Sequence, residues 1–65
     1  MKNNIQELRK QQKLTQEELA DLCGVTRQTI ISLESGRYNP SILLAHKIAS
    51  IFKSTIEQVF IFSED

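Results

Sequence analysis

Disulfide pairs, membrane-length apolar runs and a leader-like N-terminus are all lacking in this 65-residue chain. Its one cysteine, Cys23, cannot form an intramolecular disulfide, so no disulfide framework supports the fold and a reducing compartment is favoured. No apolar run approaches the roughly 18 residues of a membrane span. The N-terminal residues also lack the apolar centre of a secretory signal. The sequence therefore predicts a cytoplasmic protein with no membrane partner.

Glycine and proline are scarce and occur only in the middle of the chain, at Gly24, Gly36 and Pro40. No linker, repeat or low-complexity segment interrupts the sequence. A chain of this length has room for one small hydrophobic core. We therefore predict a single domain that spans residues 1–65.

Catalytic constellations are missing as well. The sequence contains no paired carboxylates, no Cys/His arrangement and no glycine-rich phosphate loop. So short a chain leaves little room for a pocket of ordinary substrate size. We predict that the protein is not an enzyme and that it uses no cofactor, metal ion or small-molecule ligand.

The formal net charge is zero, which argues mildly against a nucleic-acid partner because such proteins usually carry a basic face. The charges are nevertheless segregated along the chain. Residues 1–13 hold four basic residues against one acidic residue, and residues 26–47 hold three against one. Residues 14–25 and 54–65 each hold three acidic residues and no basic residue. One face of the folded protein could therefore still be positive.

Two short helices with a tight connection are predicted at about residues 16–23 and 27–35. Thr15 caps the first helix and Glu18 completes a capping box, while Leu19 and Leu22 are expected to face the core. Gly24 is a natural residue for the helix end.

The second helix of the pair follows almost at once. Thr26 caps it, Ile30 and Leu33 form its buried stripe, and Gly36 ends it. Two helices joined by so short a turn cross steeply instead of forming a hairpin.

The flanking segments are also helical in pattern, so the fold class is all-α with five helices. An N-terminal helix contains Ile5 and Leu8 on one stripe and ends near Lys13. Ser41 and Thr55 cap two later helices. The longer of these has a wide apolar stripe made of Leu44, Ala45, Ile48, Ala49 and Phe52.

The C-terminal end carries four consecutive large apolar residues, Val59, Phe60, Ile61 and Phe62. The segment is β-prone and could be a helix end, a strand, or both in sequence. If it alternates with period two, one pair faces inward and the other needs a cover. We predict that a second subunit supplies this cover. The predicted dimer interface is a segment at about residues 56–63 that includes Val59, Phe60, Ile61 and Phe62, with Ile51 and Leu43 as helical contributors. A loosely ordered tail is the alternative.

Residues 4–62 resemble the Cro/C1-type helix-turn-helix family of phage repressors and small bacterial regulators. The stretch LTQEELADLCGVTRQTIISLESGRYNPS carries the resemblance. It contains Gln16 at the start of the second helix, Ala20 and Gly24 at the tight crossing, and an ending formed by Leu33, Glu34, Gly36 and Pro40. The length and the phenylalanine-rich end are most similar to short, dimeric repressors of the cytolysin-repressor type. The resemblance implies a lambda-repressor-like DNA-binding domain. It leaves open whether a small terminal β element is added to the helices.

The resemblance also implies roles for individual residues, because the second helix of such a pair lies in the major groove of DNA. Base reading falls to Arg27 and Gln28, which can form bidentate contacts with guanine and adenine, and to Ser32. Ile31 could touch a thymine methyl or pack at the edge of the molecule. The candidates for contacts with the DNA backbone are Gln16, Thr26, Thr29, Arg37 and Asn39.

Glu34 is acidic in a segment that is expected to meet DNA. The family pattern pairs this position with a basic residue on the first helix, which here is Arg9. We expect a partly buried Arg9–Glu34 ion pair that neutralises the carboxylate and ties the two helices together. A solvated Glu34 is the alternative.

These expectations favour a homodimeric, sequence-specific regulator of transcription that binds double-stranded DNA, most simply a repressor of a palindromic operator. Protein concentration, promoter arrangement or a second regulatory protein would then control it. The alternative is an antitoxin or immunity-type module that uses the same fold to bind another protein.

Overall fold

A computed structural model describes residues 1–62 of the chain, and this part contains five helices and no sheet. The predicted all-α class is confirmed. The helices are α1 (Ile5–Gln11), α2 (Gln16–Cys23), α3 (Arg27–Glu34), α4 (Ile42–Ile51) and α5 (Ile56–Val59).

The first helix ends at Gln11, close to the predicted end near Lys13. The chain leaves the helix through a turn in which Lys13 adopts a positive φ of 59°. The Leu14 N–H then donates to the Arg9 carbonyl at 2.9 Å. The turn brings Lys13 and Leu14 beside the start of α2.

Hydroxyl caps start four of the helices in the described part, as the sequence predicts. The side chains of Thr15, Thr26, Ser41 and Thr55 each accept a hydrogen bond from the N–H of the third helical residue. Thr15 and Glu18 form the predicted capping box. These bonds satisfy amide groups that have no partner within the helix.

The core lies at the centre of the helices and takes at least one residue from each of them. Ile5, Leu19, Ile30, Leu33, Ile48 and Val59 are completely buried there. The apolar stripe predicted for α4 is confirmed, since Ala45, Ile48, Ala49 and Phe52 are buried and Leu44 is partly buried.

The prediction that Leu22 faces the core is wrong, because this side chain is 56% exposed. The buried face of α2 consists of Leu19, Ala20 and Cys23. At 100° per residue, Leu22 lies roughly 100° around the helix from the centre of that face. Because α2 packs on the core through Leu19 and the small residues Ala20 and Cys23, Leu22 points to solvent.

Two glycines shape the ends of the helix pair. Gly24 ends α2 in the left-handed conformation, with φ 72°, and the Val25 N–H donates to the Ala20 carbonyl at 3.0 Å. Gly36 follows α3 with φ 81°. Both positions favour glycine because a Cβ strains the backbone at positive φ.

The β element is a single antiparallel bridge between Asn3 and Phe60 in the described part. The Asn4 N–H donates to the Val59 carbonyl at 2.7 Å, and the Ile61 N–H donates to the Lys2 carbonyl at 2.9 Å. The C-terminal segment is thus helix and then extended chain in sequence. It pairs with the N-terminal residues of its own chain.

The expected period-two alternation of the C-terminal segment is wrong. Val59 and Phe60 are 0% and 1% exposed, so they fill this chain's own core, whereas Ile61 and Phe62 are exposed. The reason is that Val59 is the last residue of α5 and Phe60 the first extended residue, so the pattern changes period between them. Val59 and Phe60 are therefore corrected from interface residues to core residues. Residue 63 of the predicted dimerisation segment lies outside the described residues.

Candidate nucleic-acid interface

The first turn of α3 presents polar side chains to solvent. Arg27 and Gln28 are exposed there, while Ile30 and Leu33 on the other side of the helix are completely buried. Thr26 holds the start of the helix by accepting from the Thr29 N–H at 3.2 Å. The two threonine hydroxyls also contact each other at 3.1 Å. Packing of Ile30 and Leu33 in the core, together with the Thr26 cap, therefore fixes the position of the exposed first turn.

A groove of about 490 Å³ lies between the end of α1 and the first turns of α2 and α3. We call it the α2 groove, and its lining includes Lys13, Thr15, Gln16, Glu17 and Arg27. A second groove of about 330 Å³, the α3 groove, runs along the other side of α3. It is lined by Thr26, Gln28, Thr29, Ser32, Arg37 and Tyr38.

The two predicted base readers of the first turn thus face different grooves. Arg27 lies beside Gln16, a predicted phosphate contact, whereas Gln28 lies beside Ser32 and Arg37. Asn39 is exposed and lines neither groove. The structure therefore brings seven of the eight predicted DNA contacts to the two sides of one helix end. Their roles stay predictions.

The ion pair expected between α1 and α3 is present. Arg9 Nε lies 2.8 Å from Glu34 Oε2, and the two side chains are nearly buried. Arg9 Nη2 donates to Glu34 Oε1 at 3.4 Å, and Nη1 donates to the Leu14 carbonyl at 2.8 Å. The guanidinium therefore cancels the carboxylate charge and ties α3 to the end of α1.

Gln16 joins this network from α2. Its Nε2 donates to Glu34 Oε1 at 3.1 Å, so Glu34 holds side chains from two other helices. A side-chain amide has two N–H donors. The bond to Glu34 uses one of them and sets the orientation of the other at the wall of the α2 groove.

The charge of this region is positive although the chain is neutral. The α2 groove contains Lys13 and Arg27 against Glu17, in addition to the Arg9 that Glu34 neutralises. Arg37 is the charged residue in the lining of the α3 groove. Folding therefore gathers basic residues from the end of α1, the start of α3 and the following loop on the two sides of α3.

Tyr38 is a groove residue that the sequence analysis did not single out. It is exposed and lines the α3 groove together with Gln28 and Ser32. The available signal was an aromatic residue in a polar loop directly after α3. Tyrosine combines an apolar ring with a polar tip and is enriched at interfaces for that reason.

Residues 1–62 give little support to metal binding, membrane insertion or thiol chemistry. They contain no cluster of three histidine, cysteine, aspartate or glutamate side chains that could hold a metal ion. None of their helices is long and apolar enough to cross a membrane. Burial raises the pKa of the Cys23 thiol, although nearby Lys47 lowers it in part. The free cysteine is therefore poorly set up to act as a thiolate.

A short helix, capped and packed across its predecessor, with an exposed polar first turn between two basic grooves, defines a helix-turn-helix DNA-binding domain. The helix-turn-helix family matches residues 5–59. The chain belongs to this Cro/C1-type family of DNA-binding transcriptional regulators, as the sequence predicts. Because the family consists of DNA-binding regulators, the prediction that the chain is not an enzyme is also confirmed.

Individual relatives agree with this assignment. The chain is 58% identical over 66 residues to an HTH-type transcriptional regulator of Methanothermobacter thermautotrophicus, covering all of this chain and 96% of the relative. It is 37% identical to the competence pilus inhibition repressor of Acinetobacter baylyi, covering 89% of this chain and 53% of that protein.

A solved structure has the same fold. The crystal structure of the restriction-modification controller protein C.AhdI from Aeromonas hydrophila is similar with a TM-score of 0.79 and 32% identity. The similarity covers 88% of this chain and 86% of that chain.

Proposed function

We propose that this protein is a sequence-specific transcriptional repressor that binds a palindromic operator as a homodimer, with α3 in the major groove. The observation that carries the proposal is the exposed first turn of α3, which lies between two concave surfaces that are both positive. A helix that enters a groove of DNA must protrude from the protein. Cations on both sides of the helix can then bind the phosphates that flank the groove.

Gln28 is the first candidate for base reading, because it is exposed at the start of α3 and has no role in the core. Its amide can donate to and accept from adenine. Ser32 lies on the same side of the helix and lines the same groove. Arg27 lies on the other side, where its guanidinium can reach guanine or a phosphate.

Phosphate contacts fall to the groove walls. In the α2 groove, Gln16 retains one amide N–H, and Lys13 adds a positive charge. In the α3 groove, Thr26 and Thr29 offer hydroxyls and Arg37 offers a guanidinium. Asn39 remains a candidate from the adjoining loop. These contacts would position α3 on the duplex without reading its sequence.

Homodimer formation is supported by an apolar surface, which we define as Ile42, Leu43, Ile61 and Phe62. Ile42 and Leu43 are 79% and 78% exposed, and Phe62 is 54% exposed. Ile42 and Phe62 line one apolar groove of about 180 Å³. A second copy related by a two-fold axis would cover this surface with the same residues.

We place the centre of the proposed interface away from Ile51. This residue is half-buried against the core, and it lies about 13 Å along the α4 axis from Ile42. We therefore centre the interface on Ile42 and Phe62. Two reading helices placed about 34 Å apart by such a dimer would match half-sites one turn apart.

The experiment that tests the proposal is selection from a random pool of short duplexes, with the mass of the complex recorded. We expect an enriched palindrome bound by two chains, with an affinity that falls steeply as salt increases. Transcription from a promoter that contains the palindrome should fall when the protein is added.

The absence of any enriched sequence would overturn the proposal. A protein that selects no duplex and stays monomeric would instead favour the antitoxin or immunity-type alternative, in which the apolar surface binds another protein.

A further inference from the structure

The C-terminal end of the reading helix is held by the side chain of one N-terminal residue, Asn3. Its Nδ2 donates to the Leu33 carbonyl at 2.7 Å and to the Met1 carbonyl at 3.1 Å. Its Oδ1 accepts from the Ile5 N–H at 3.1 Å. The Asn3 amide therefore joins the last turn of α3 to the first turn of α1 across 30 residues of sequence.

The same short segment is joined to the C-terminal end of the chain. Asn3 forms the antiparallel bridge with Phe60, and its neighbours Lys2 and Asn4 exchange backbone hydrogen bonds with Ile61 and Val59. Residues 1–4 thus lie between α3 on one side and the extended segment on the other. That segment leads directly into Phe62 of the apolar surface.

The backbone at the end of α3 gains an additional restraint from these contacts. The Leu33 carbonyl accepts from the Gly36 N–H at 3.0 Å as well as from Asn3, so both of its lone pairs are used. The N-terminal nitrogen of Met1 donates to the Gly36 carbonyl at 2.7 Å. The last turn of this eight-residue helix and the glycine that follows it are therefore tied to the N-terminal residues Met1 and Asn3.

We propose that Asn3 is a positioning residue for DNA recognition, because its amide sets the orientation of α3 relative to the C-terminal segment that carries Phe62. This inference rests on the proposed function, in which two copies of α3 must meet two half-sites at once. A helix of eight residues is short, so a tilt at its last turn displaces Arg27 and Gln28 at its first. Base contacts depend on such placement more strongly than phosphate contacts do.

The test is the ratio of the dissociation constants for non-specific and selected DNA, measured for Asn3→Asp. The substitution keeps an oxygen that can accept from the Ile5 N–H and removes the donor to the Leu33 and Met1 carbonyls. Partial unfolding weakens both kinds of binding by the same factor, so a merely structural role leaves the ratio unchanged. We expect the ratio to fall roughly tenfold, since a bidentate base contact accounts for about that much discrimination.

Asn4→Asp is the matched control. Asn4 Nδ2 donates to the Gln58 carbonyl at 3.0 Å, so the change adds the same charge and removes an exposed bond at the neighbouring residue without touching α3. We expect its ratio to stay within about twofold of the wild-type value. Should Asn3→Asp fail to fold, Asn3→Ala is judged by the same ratio.

An unchanged ratio in the Asn3 variant would overturn the inference while the proposed function stands, and so would equal losses in the Asn3 and Asn4 variants. A wild-type protein that selects no duplex would overturn the proposed function first and this inference with it.

Discussion

The face around α3 and the apolar surface near the start of α4 are both exposed, but their chemistry is opposite. The first consists mainly of amides, hydroxyls and charged side chains that remain hydrated without a partner. The second consists of large aliphatic and aromatic side chains, and each 1 Å² of apolar area left in water costs roughly 25 cal/mol. We therefore expect the apolar surface to be covered permanently by a partner and the polar face to bind its partner reversibly.

The largest effect is expected at the ion pair beneath the polar face. Arg9→Ala leaves the Glu34 carboxylate nearly buried without its cation, which should lower the free energy of unfolding by about 3 kcal/mol or more. Chemical denaturation at a fixed protein concentration measures the loss. Lys10→Ala, at an exposed site on the same helix, is the control. Equal denaturation midpoints for wild type and Arg9→Ala would show that the pair does not support the fold.

The next largest effect concerns the apolar surface. Phe62→Asp places a charge where a second copy is expected to bind, and we expect the dimer dissociation constant to rise about 100-fold or more, because an unpaired charge is costly to bury. Sedimentation equilibrium measures it. Leu22→Asp changes an equally exposed residue on α2 and should leave the dimer intact. Full dimerisation of the Phe62 variant would move the interface elsewhere.

Within the polar face, base reading and phosphate binding should separate by their salt dependence. Gln28→Ala should weaken binding to the selected duplex by about 1–3 kcal/mol and leave its salt slope unchanged, because glutamine carries no charge. Arg37→Ala should weaken selected and random duplexes alike and reduce the slope by about one. Titrations at several salt concentrations test both variants. If Gln28→Ala weakens both duplexes equally, its assignment as a base reader is wrong.

The smallest effect distinguishes the two glycines that flank the face. Gly24→Ala meets an open space and should cost about 1 kcal/mol for its positive φ. Gly36→Ala has the same backbone strain and also places its Cβ 3.3 Å from the Met1 carbonyl oxygen, so it should cost more. Denaturation midpoints of the two variants compare them directly. Equal losses would show that the N-terminal residues yield readily at this contact.

The polar face could be predicted from the sequence to a large extent because its signals are local. Each signal lies within a few positions of the sequence. The signals are a hydroxyl cap three residues before its amide partner, a glycine at a helix end and an apolar stripe. They predicted the limits of α2 and α3 and the exposure of Gln28. The resemblance then predicted the pairing of Arg9 with Glu34.

The C-terminal segment could be predicted only in part because its burial depends on distant residues. Four apolar residues in a row indicate that something must cover them, but no local signal says which two the chain covers itself. The change from α5 to extended chain at Phe60, which the bridge to Asn3 holds in place, decides this. In the same way, the bond from Gln16 to Glu34 joins residues 18 positions apart on different helices.

The sequence by itself thus determined an all-α fold, the caps and ends of its helices, and a polar helix end suited to DNA, because each follows from residues that are neighbours in the chain. Only the tertiary structure decided that Lys13, Arg27 and Arg37 of a neutral chain lie around α3, that Val59 and Phe60 belong to the core, and that Asn3 bonds to the last turn of α3. Those outcomes depend on which apolar residues of each helix enter the one small core. Packing across the whole molecule decides that, not the residues that are neighbours in the chain.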